Sequence, residues 1–170
     1  MLSGNHIQLI RPSLNDWQQV KAIWEDPATM KEVGGIHPLP KDRYEQWFQR
    51  MLIDGKEEHD YYLIYEIKDN QCVGEVSFHC YNHETKTAMF NIKVKHAHRG
   101  NGYATEAMDL IFDYYFNVWQ GEIMEDSIAL NNTVGLQRLT KYGFKEVKRD
   151  HEAVWVELKR QDWKMMKVGP

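Results

Sequence analysis

Val94-Lys95-His96-Ala97-His98-Arg99-Gly100-Asn101-Gly102-Tyr103-Ala104-Thr105-Glu106-Ala107 joins an alternating apolar run to a long helical pattern. Residues 87–94 read as a strand, because apolar side chains recur with a period of two. Ala104, Ala107, Met108, Ile111, Phe112, Tyr115 and Phe116 recur at helical spacing, which predicts a helix over about 102–119 ended by Gly121. Between them lies a basic turn with two glycines. Glycine lets the backbone fold tightly and lets a ligand approach without a Cβ in the way. The first amides of the following helix lack internal partners and lie at the positive end of its dipole. Strand, glycine turn and helix together make a site for phosphate or pyrophosphate.

Outward from this stretch, the first strand signal is residues 6–10. Ser13 and Asp16 have the spacing of a capping box, and Leu14, Trp17, Val20, Ile23 and Trp24 form a helical stripe that stops at Asp26-Pro27. A loop with Gly34, Gly35, Pro38 and Pro40 follows. Tyr44, Trp47, Phe48, Met51 and Leu52 mark a second helix that ends near Asp54-Gly55. The tryptophans of these helices read mainly as core, with the alternative that some ring edges and the 34–40 loop wall a pocket.

Residues 61–67 and 72–80 read as strands around the turn Lys68-Asp69-Asn70-Gln71, with Gly74 a bulge or close approach. After the long helix come a strand at 125–130, a helix from Asn131-Asn132-Thr133 to Gly143, and a hairpin of 144–148 with 154–158. Hairpins mixed with crossovers predict an α/β fold of the α+β type, a mixed sheet with helices on both faces.

The 170 residues are expected to form a single domain, 1–170, large enough to bury a core without staples. A net charge of −4 argues against general nucleic-acid binding. No apolar run reaches membrane-spanning length and no signal peptide is read. Cys72 and Cys80 are expected on one strand face, too far apart to bridge, as two buried reduced thiols. That points to a cytoplasmic protein. Among eight histidines, none has metal-ligand spacing with cysteines, so no metal is expected.

The glycine turn lacks the Gly-Lys-Ser/Thr ending of a Walker A loop. It also carries Thr105 where a dinucleotide fingerprint needs its third glycine or alanine. A second stretch narrows the reading. Asn132-Thr133-Val134-Gly135-Leu136-Gln137-Arg138-Leu139-Thr140-Lys141-Tyr142-Gly143-Phe144 begins with an amide side chain after a strand and closes in Lys-x-Gly-Phe. Taken with Arg99-Gly100-Asn101-Gly102-Tyr103-Ala104, it resembles the GNAT superfamily of acyl-CoA N-acyltransferases. The specific part of the resemblance covers roughly 87–146, and element order extends it over most of the chain. Residues 8–12, Gln8-Leu9-Ile10-Arg11-Pro12, with Asp16, resemble the branch that includes ribosomal-protein N-terminal acetyltransferases.

The resemblance implies a mostly antiparallel sheet of six to seven strands whose central parallel strands, 87–94 and 125–130, splay apart around acetyl-CoA. It implies a pyrophosphate on the amides of Arg99, Gly100, Asn101, Gly102, Tyr103 and Ala104. Pantetheine would lie along Val94, the acyl carbonyl near Ile92 to Val94, and Asn132 beside the pantetheine arm or the acceptor. The expected reaction is direct acetyl transfer to a primary amine in a ternary complex. The acceptor is a small-molecule amine, a protein N-terminus or a lysine, with neither nucleic acid nor membrane as partner. The chain is expected to be a monomer or homodimer. A catalytically silent acyl-CoA-binding module is the alternative, because Leu139 stands where many members carry a tyrosine acid. For the base, Glu75 and His79 share a strand face. Glu75 reads equally well as an outward carboxylate, and Ser127 is a further cleft candidate. The acceptor's pocket is expected from the 27–40 loop, the second helix and the 145–158 hairpin.

Overall fold

Apolar side chains on both faces of the middle strands require two covering layers, and the chain supplies them. The computed structural model describes residues 1–168. Eight strands form one sheet in the order β1-β2-β3-β4-β5-β6-β8-β7. They are β1 (Leu2–Ser3), β2 (Ile7–Ile10), β3 (Asp60–Glu66), β4 (Gln71–Asn82), β5 (Thr87–Val94), β6 (Ile123–Ala129), β7 (Lys145–Arg149) and β8 (Ala153–Lys159). Among the described residues only β5 and β6 pair in parallel. The expected architecture is found. The added strand is β1, a two-residue pairing with Leu9 and Gln8 too short to leave a periodic signal.

The helices are α1 (Trp17–Trp24), α2 (Pro27–Met30), α3 (Lys41–Phe48), α4 (Tyr103–Asn117), α5 (Thr133–Tyr142) and α6 (Arg160–Val168). On one face, Ala107, Met108, Ile111, Phe112, Tyr115 and Phe116 of α4 and Trp163 of α6 pack with Tyr62, Ile64, Val76, Phe78 and Phe90. The rings of Phe90 and Phe112 stand 4.8 Å apart and those of Phe112 and Phe144 5.7 Å, contacts that aromatic edges favour. On the other face, Val20 and Ile23 of α1 and Tyr44 of α3 pack with Tyr61, Leu63 and Cys72.

Local signals hold where a side chain acts on its own backbone. The capping box forms before α1, with the Ser13 amide donating to Asp16 Oδ2 at 2.7 Å. Pro27 both closes α1 and opens α2, whose N-cap Asp26 accepts from the Thr29 amide at 3.0 Å. The second predicted helix continues past Phe48 as a π turn, Gln49–Asp54.

Two expectations fail for reasons of local geometry. The residue that turns left-handed after α4 is Gln120 (φ 58°), while Gly121 is needed because a Cβ there would lie 2.1 Å from the Tyr115 ring. The cysteines are not a buried pair on one face. The β3–β4 register steps from Ile64–Gly74 to Tyr65–Cys72, leaving Val73 as the extra residue of a bulge. That slip turns Cys72 into the α1–α3 layer, whereas Cys80 is exposed with φ 55°.

Candidate active site

The sheet opens where β5 and β6 stop pairing. Their parallel register runs only from Thr87–Ile123 to Met89–Glu125. Beyond it the strands part, and a cavity of about 540 Å³ fills the gap, within the size range of small-molecule sites. One wall is the free edge of β5, with Asn91, Ile92, Lys93 and Val94; the facing wall is β6, with Asp126, Ser127, Ile128 and Ala129. Asn132, the N-cap of α5, and Gly135, Arg138 and Leu139 along that helix add a third side, and Trp24, Thr29, Glu32, Gly34 and His37 roof the cavity.

The glycine turn lies where β5 leaves the cavity. Arg99 is on the cavity wall, and Gly100, Asn101, Gly102, Tyr103 and Ala104 continue from it into α4. Gly100 and Gly102 have φ of 87° and 80°, the left-handed region that L side chains rarely enter. A Cβ on either would meet no atom within 4 Å, so the space over the turn is open. Among the described residues, the amides of Gly100, Asn101, Gly102, Tyr103 and Ala104 have no protein acceptor. Five uncommitted donors at a helix N-terminus, under open space, fit a pyrophosphate.

Arg99 is more committed than its motif suggests. Its Nε donates to the Val94 carbonyl at 3.2 Å, its Nη2 to the Thr29 carbonyl at 3.2 Å, and its Nη1 lies 3.6 Å from Glu32 Oε2. The His96 amide donates to Thr29 Oγ1 at 2.9 Å. These bonds strap the roof segment to the glycine turn. Asn132 is on the cavity wall and is also the N-cap of α5, its Oδ1 accepting from the Gly135 amide at 2.9 Å. Tyr103 turns its ring away and donates to Glu66.

The two sequence candidates for a base sit apart from this cavity. Glu75 is wholly buried behind the wall, at 0% exposure. It accepts from Trp24 Nε1 at 2.8 Å, from the Tyr61 hydroxyl, and from Lys93 Nζ at 2.6 Å. It is therefore neither an outward carboxylate nor part of the cavity lining. Burial and the Glu75 carboxylate push the Tyr61 phenol well up, so it stays protonated and donates. His79 is further along β4, opposite Met89 and off the cavity wall; burial lowers its pKa and favours the neutral ring. Leu139 is buried on the wall, and Tyr142 points elsewhere, donating to Asp109 Oδ1 at 2.8 Å against the Phe112 ring.

The residues that sequence reasoning missed are those whose partners lie far away in the chain. Lys93 lines the wall and bonds Glu75 and, at 3.3 Å, Asn91 Oδ1. Asp126 lines the facing wall, and burial pushes its carboxyl up to about 7. Arg138 lies beside Arg99, and burial lowers its pKa. The roof comes from residues 24–37, as the 27–40 loop led us to expect. α3 and the β7–β8 hairpin do not reach the cavity. Trp24 takes the pocket role that its stripe left open, while Trp17 and Trp47 pack against the α1–α3 core. Among the described residues no group of three or more His, Cys, Asp or Glu side chains is placed to hold a metal. No described helix is long and apolar enough to cross a membrane.

Comparison with known proteins places this arrangement. The fold matches the spermidine N-acetyltransferase of Vibrio cholerae, solved with CoA and spermine, with a TM-score of 0.82 over 94% of this chain and 98% of that one, at 15% identity. It also matches a GNAT-family acetyltransferase of Bacillus anthracis, with a TM-score of 0.75 over 95% and 99% of the two chains, at 17% identity. In sequence, the chain is 30% identical over 90 residues to the "Probable N-acetyltransferase YjcK" of Bacillus subtilis. That match spans 52% of this chain and 50% of the relative. A sequence model of the acetyltransferase (GNAT) domain matches residues 6–145, so the chain belongs to the GNAT acetyltransferase family.

Proposed function

We propose that this protein transfers the acetyl group of acetyl-CoA directly to a primary amine, both substrates being bound together in the β5–β6 gap. One observation carries the reading: a strand-lined gap that ends at a turn of five uncommitted amides. The turn binds the pyrophosphate, and the free edge of β5 pairs with the pantetheine arm as an added strand would. The thioester supplies an acyl group ready for aminolysis. A β5 amide between Ile92 and Val94 stabilises the charge that develops on its oxygen. Trp24, Asn91, Lys93 and His37 shape the acceptor's end of the cavity, and holding both reactants there removes much of the entropic barrier. Among the described residues no tyrosine lines the cavity: Leu139 occupies the wall and Tyr142 is bonded to Asp109.

The V. cholerae neighbour, a spermidine N-acetyltransferase solved with spermine, makes polyamines the first acceptors to try, ahead of lysine and peptide N-termini. Thiol release from acetyl-CoA across such a panel tests the proposal, with turnover expected for at least one amine. Leu139 at the usual acid position favours a second reading, an acyl-CoA-binding module without catalysis. Binding of acetyl-CoA with no thiol release across the panel would establish it.

A further inference from the structure

We propose that Asp126 is the catalytic base, taking a proton from the incoming ammonium at the closed end of the gap. The proposal rests on the acetyl-transfer reading above and names a group which that reading leaves open. Asp126 is the first residue of β6 beyond the last parallel pair, Met89–Glu125. It therefore stands where the strands begin to part, at the end of the gap opposite the glycine turn. An arm held at that turn and laid along β5 from Val94 to Asn91 covers about 3.3 Å per residue. Its reactive end arrives beside Asn91 and Asp126, both on the cavity wall.

Lys93 and the other carboxylates on or behind the cavity wall are occupied. Lys93 is committed to Glu75 at 2.6 Å and to Asn91 at 3.3 Å. Glu75 already has three donors and no exposure. Glu32 pairs with Arg99 at 3.6 Å. Asp126 accepts from the Ser127 amide through Oδ1 at 2.7 Å, and among the described residues Oδ2 has no partner. It is a carboxylate with an open oxygen on the cavity wall and no ion pair to hold it charged.

The facing charges fit that role. Lys93 on β5 favours the ionised form, and it is outweighed by burial. Arg99, Arg138, Glu32 and His37 line other parts of the cavity wall, His37 towards the acceptor's end. On β8, Asp126 pairs with Val156, while Glu125 and Glu157 pair with each other on the opposite sheet face. The net result is a carboxyl pushed up to about 7, matched to proton transfer near neutrality.

The step balances. The Asp126 carboxylate takes one N–H proton of the ammonium, and the freed lone pair attacks the acyl carbon. The C–N bond forms and the C–S bond breaks, with the electron pair leaving on sulfur. A second N–H proton, made acidic in the adduct, goes to that sulfur, and Asp126 returns its proton to water.

Asp126→Asn keeps the shape and removes the base. Calorimetry with acetyl-CoA should give the same affinity for this variant as for the unchanged protein. Thiol release is then followed between pH 5.5 and 9, with spermidine and with water as acceptors. The unchanged protein should show a rate that levels off above about 7. The variant should be slower by about 10²–10⁴-fold at neutral pH and should lose that bend. Carbon-13 titration of the unchanged protein, with the Asp126 signal assigned by its absence in the variant, should bend at the same pH. A variant within about threefold of the unchanged rate, a retained bend, or an Asp126 carboxyl titrating near the ordinary 3.9 would overturn the proposal. So would loss of acetyl-CoA affinity in the variant, whereas absence of thiol release by the unchanged protein with both acceptors would count against the acetyl-transfer reading itself. Failure of the unchanged protein to bind acetyl-CoA at all would instead remove the function on which the proposal rests.

Discussion

Glu75 shows what one buried carboxylate does for the cavity wall. It gathers the Trp24 indole, the Tyr61 hydroxyl and the Lys93 ammonium into one cluster. Trp24 and Lys93 are themselves wall residues. Removing one member of a buried pair strands the other charge, at about 3–5 kcal/mol. Glu75→Ala should lower the unfolding free energy by about that amount in urea titration, and Glu75→Gln by less, because the amide oxygen still accepts. A loss below about 1 kcal/mol for the alanine variant would show that the cluster is not held by its charge. A carboxylate inside an apolar strand was visible in the sequence as unusual, but not its role. Its partner Trp24 lies 51 positions away in the chain, and only the packing of α1 on the sheet brings them together. Asp126 left even less trace. Beside Glu125, it becomes distinct only where the β5–β6 pairing stops.

Elements built by local rules were legible, and elements built by tertiary contact were not. The α4 stripe, the Ser13–Asp16 box and the Asn132 cap each follow from side chains a few positions apart. The one-turn α2 and the π turn at Gln49–Asp54 are too short to leave a periodic signal, and α6 follows β8 directly with no turn between them. The Asn132 cap makes a prediction for its element. Asn132→Ala releases the Gly135 amide and should cost about 0.5–2 kcal/mol in thermal or urea unfolding. An unchanged midpoint would mean that the α5 start is fixed by the cavity wall rather than by its cap. The strap from Arg99 to Thr29 and Glu32 joins two segments about 70 positions apart, an association that no local pattern announces.

For the whole molecule, a half-buried acid that waits for a substrate lowers stability near neutrality. An unfolded aspartate loses its proton near 3.9, whereas Asp126 in the folded chain loses it near about 7. Between those values the folded state holds the extra proton, so stability falls as pH rises through that window. Asp26 and Glu106 have the opposite sign. Hydrogen bonds lower their pKa values, and their contribution is lost as pH falls through the acid range. Urea unfolding at pH 5 and pH 8 should therefore show a decline that Asp126→Asn flattens, by up to a few kcal/mol on the linkage scale. An identical pH slope in the variant would assign the decline to other groups. The hairpin-linked strands were legible up to β5, and the family resemblance set the parallel β6 beside it. That the β7–β8 hairpin returns with β8 beside β6 follows from the seven-pair register between them, which no local pattern announces.

The central claim is that the β5–β6 gap and the glycine turn hold acetyl-CoA. Isothermal titration tests it most directly, comparing the unchanged protein with Gly102→Glu. The substitution sets a carboxylate in the open space over the turn and forces a side chain into φ 80°. The account predicts one acetyl-CoA per chain for the unchanged protein and no measurable binding for the variant. Absence of binding by the unchanged protein at millimolar acetyl-CoA, or equal affinity in the variant, would contradict it.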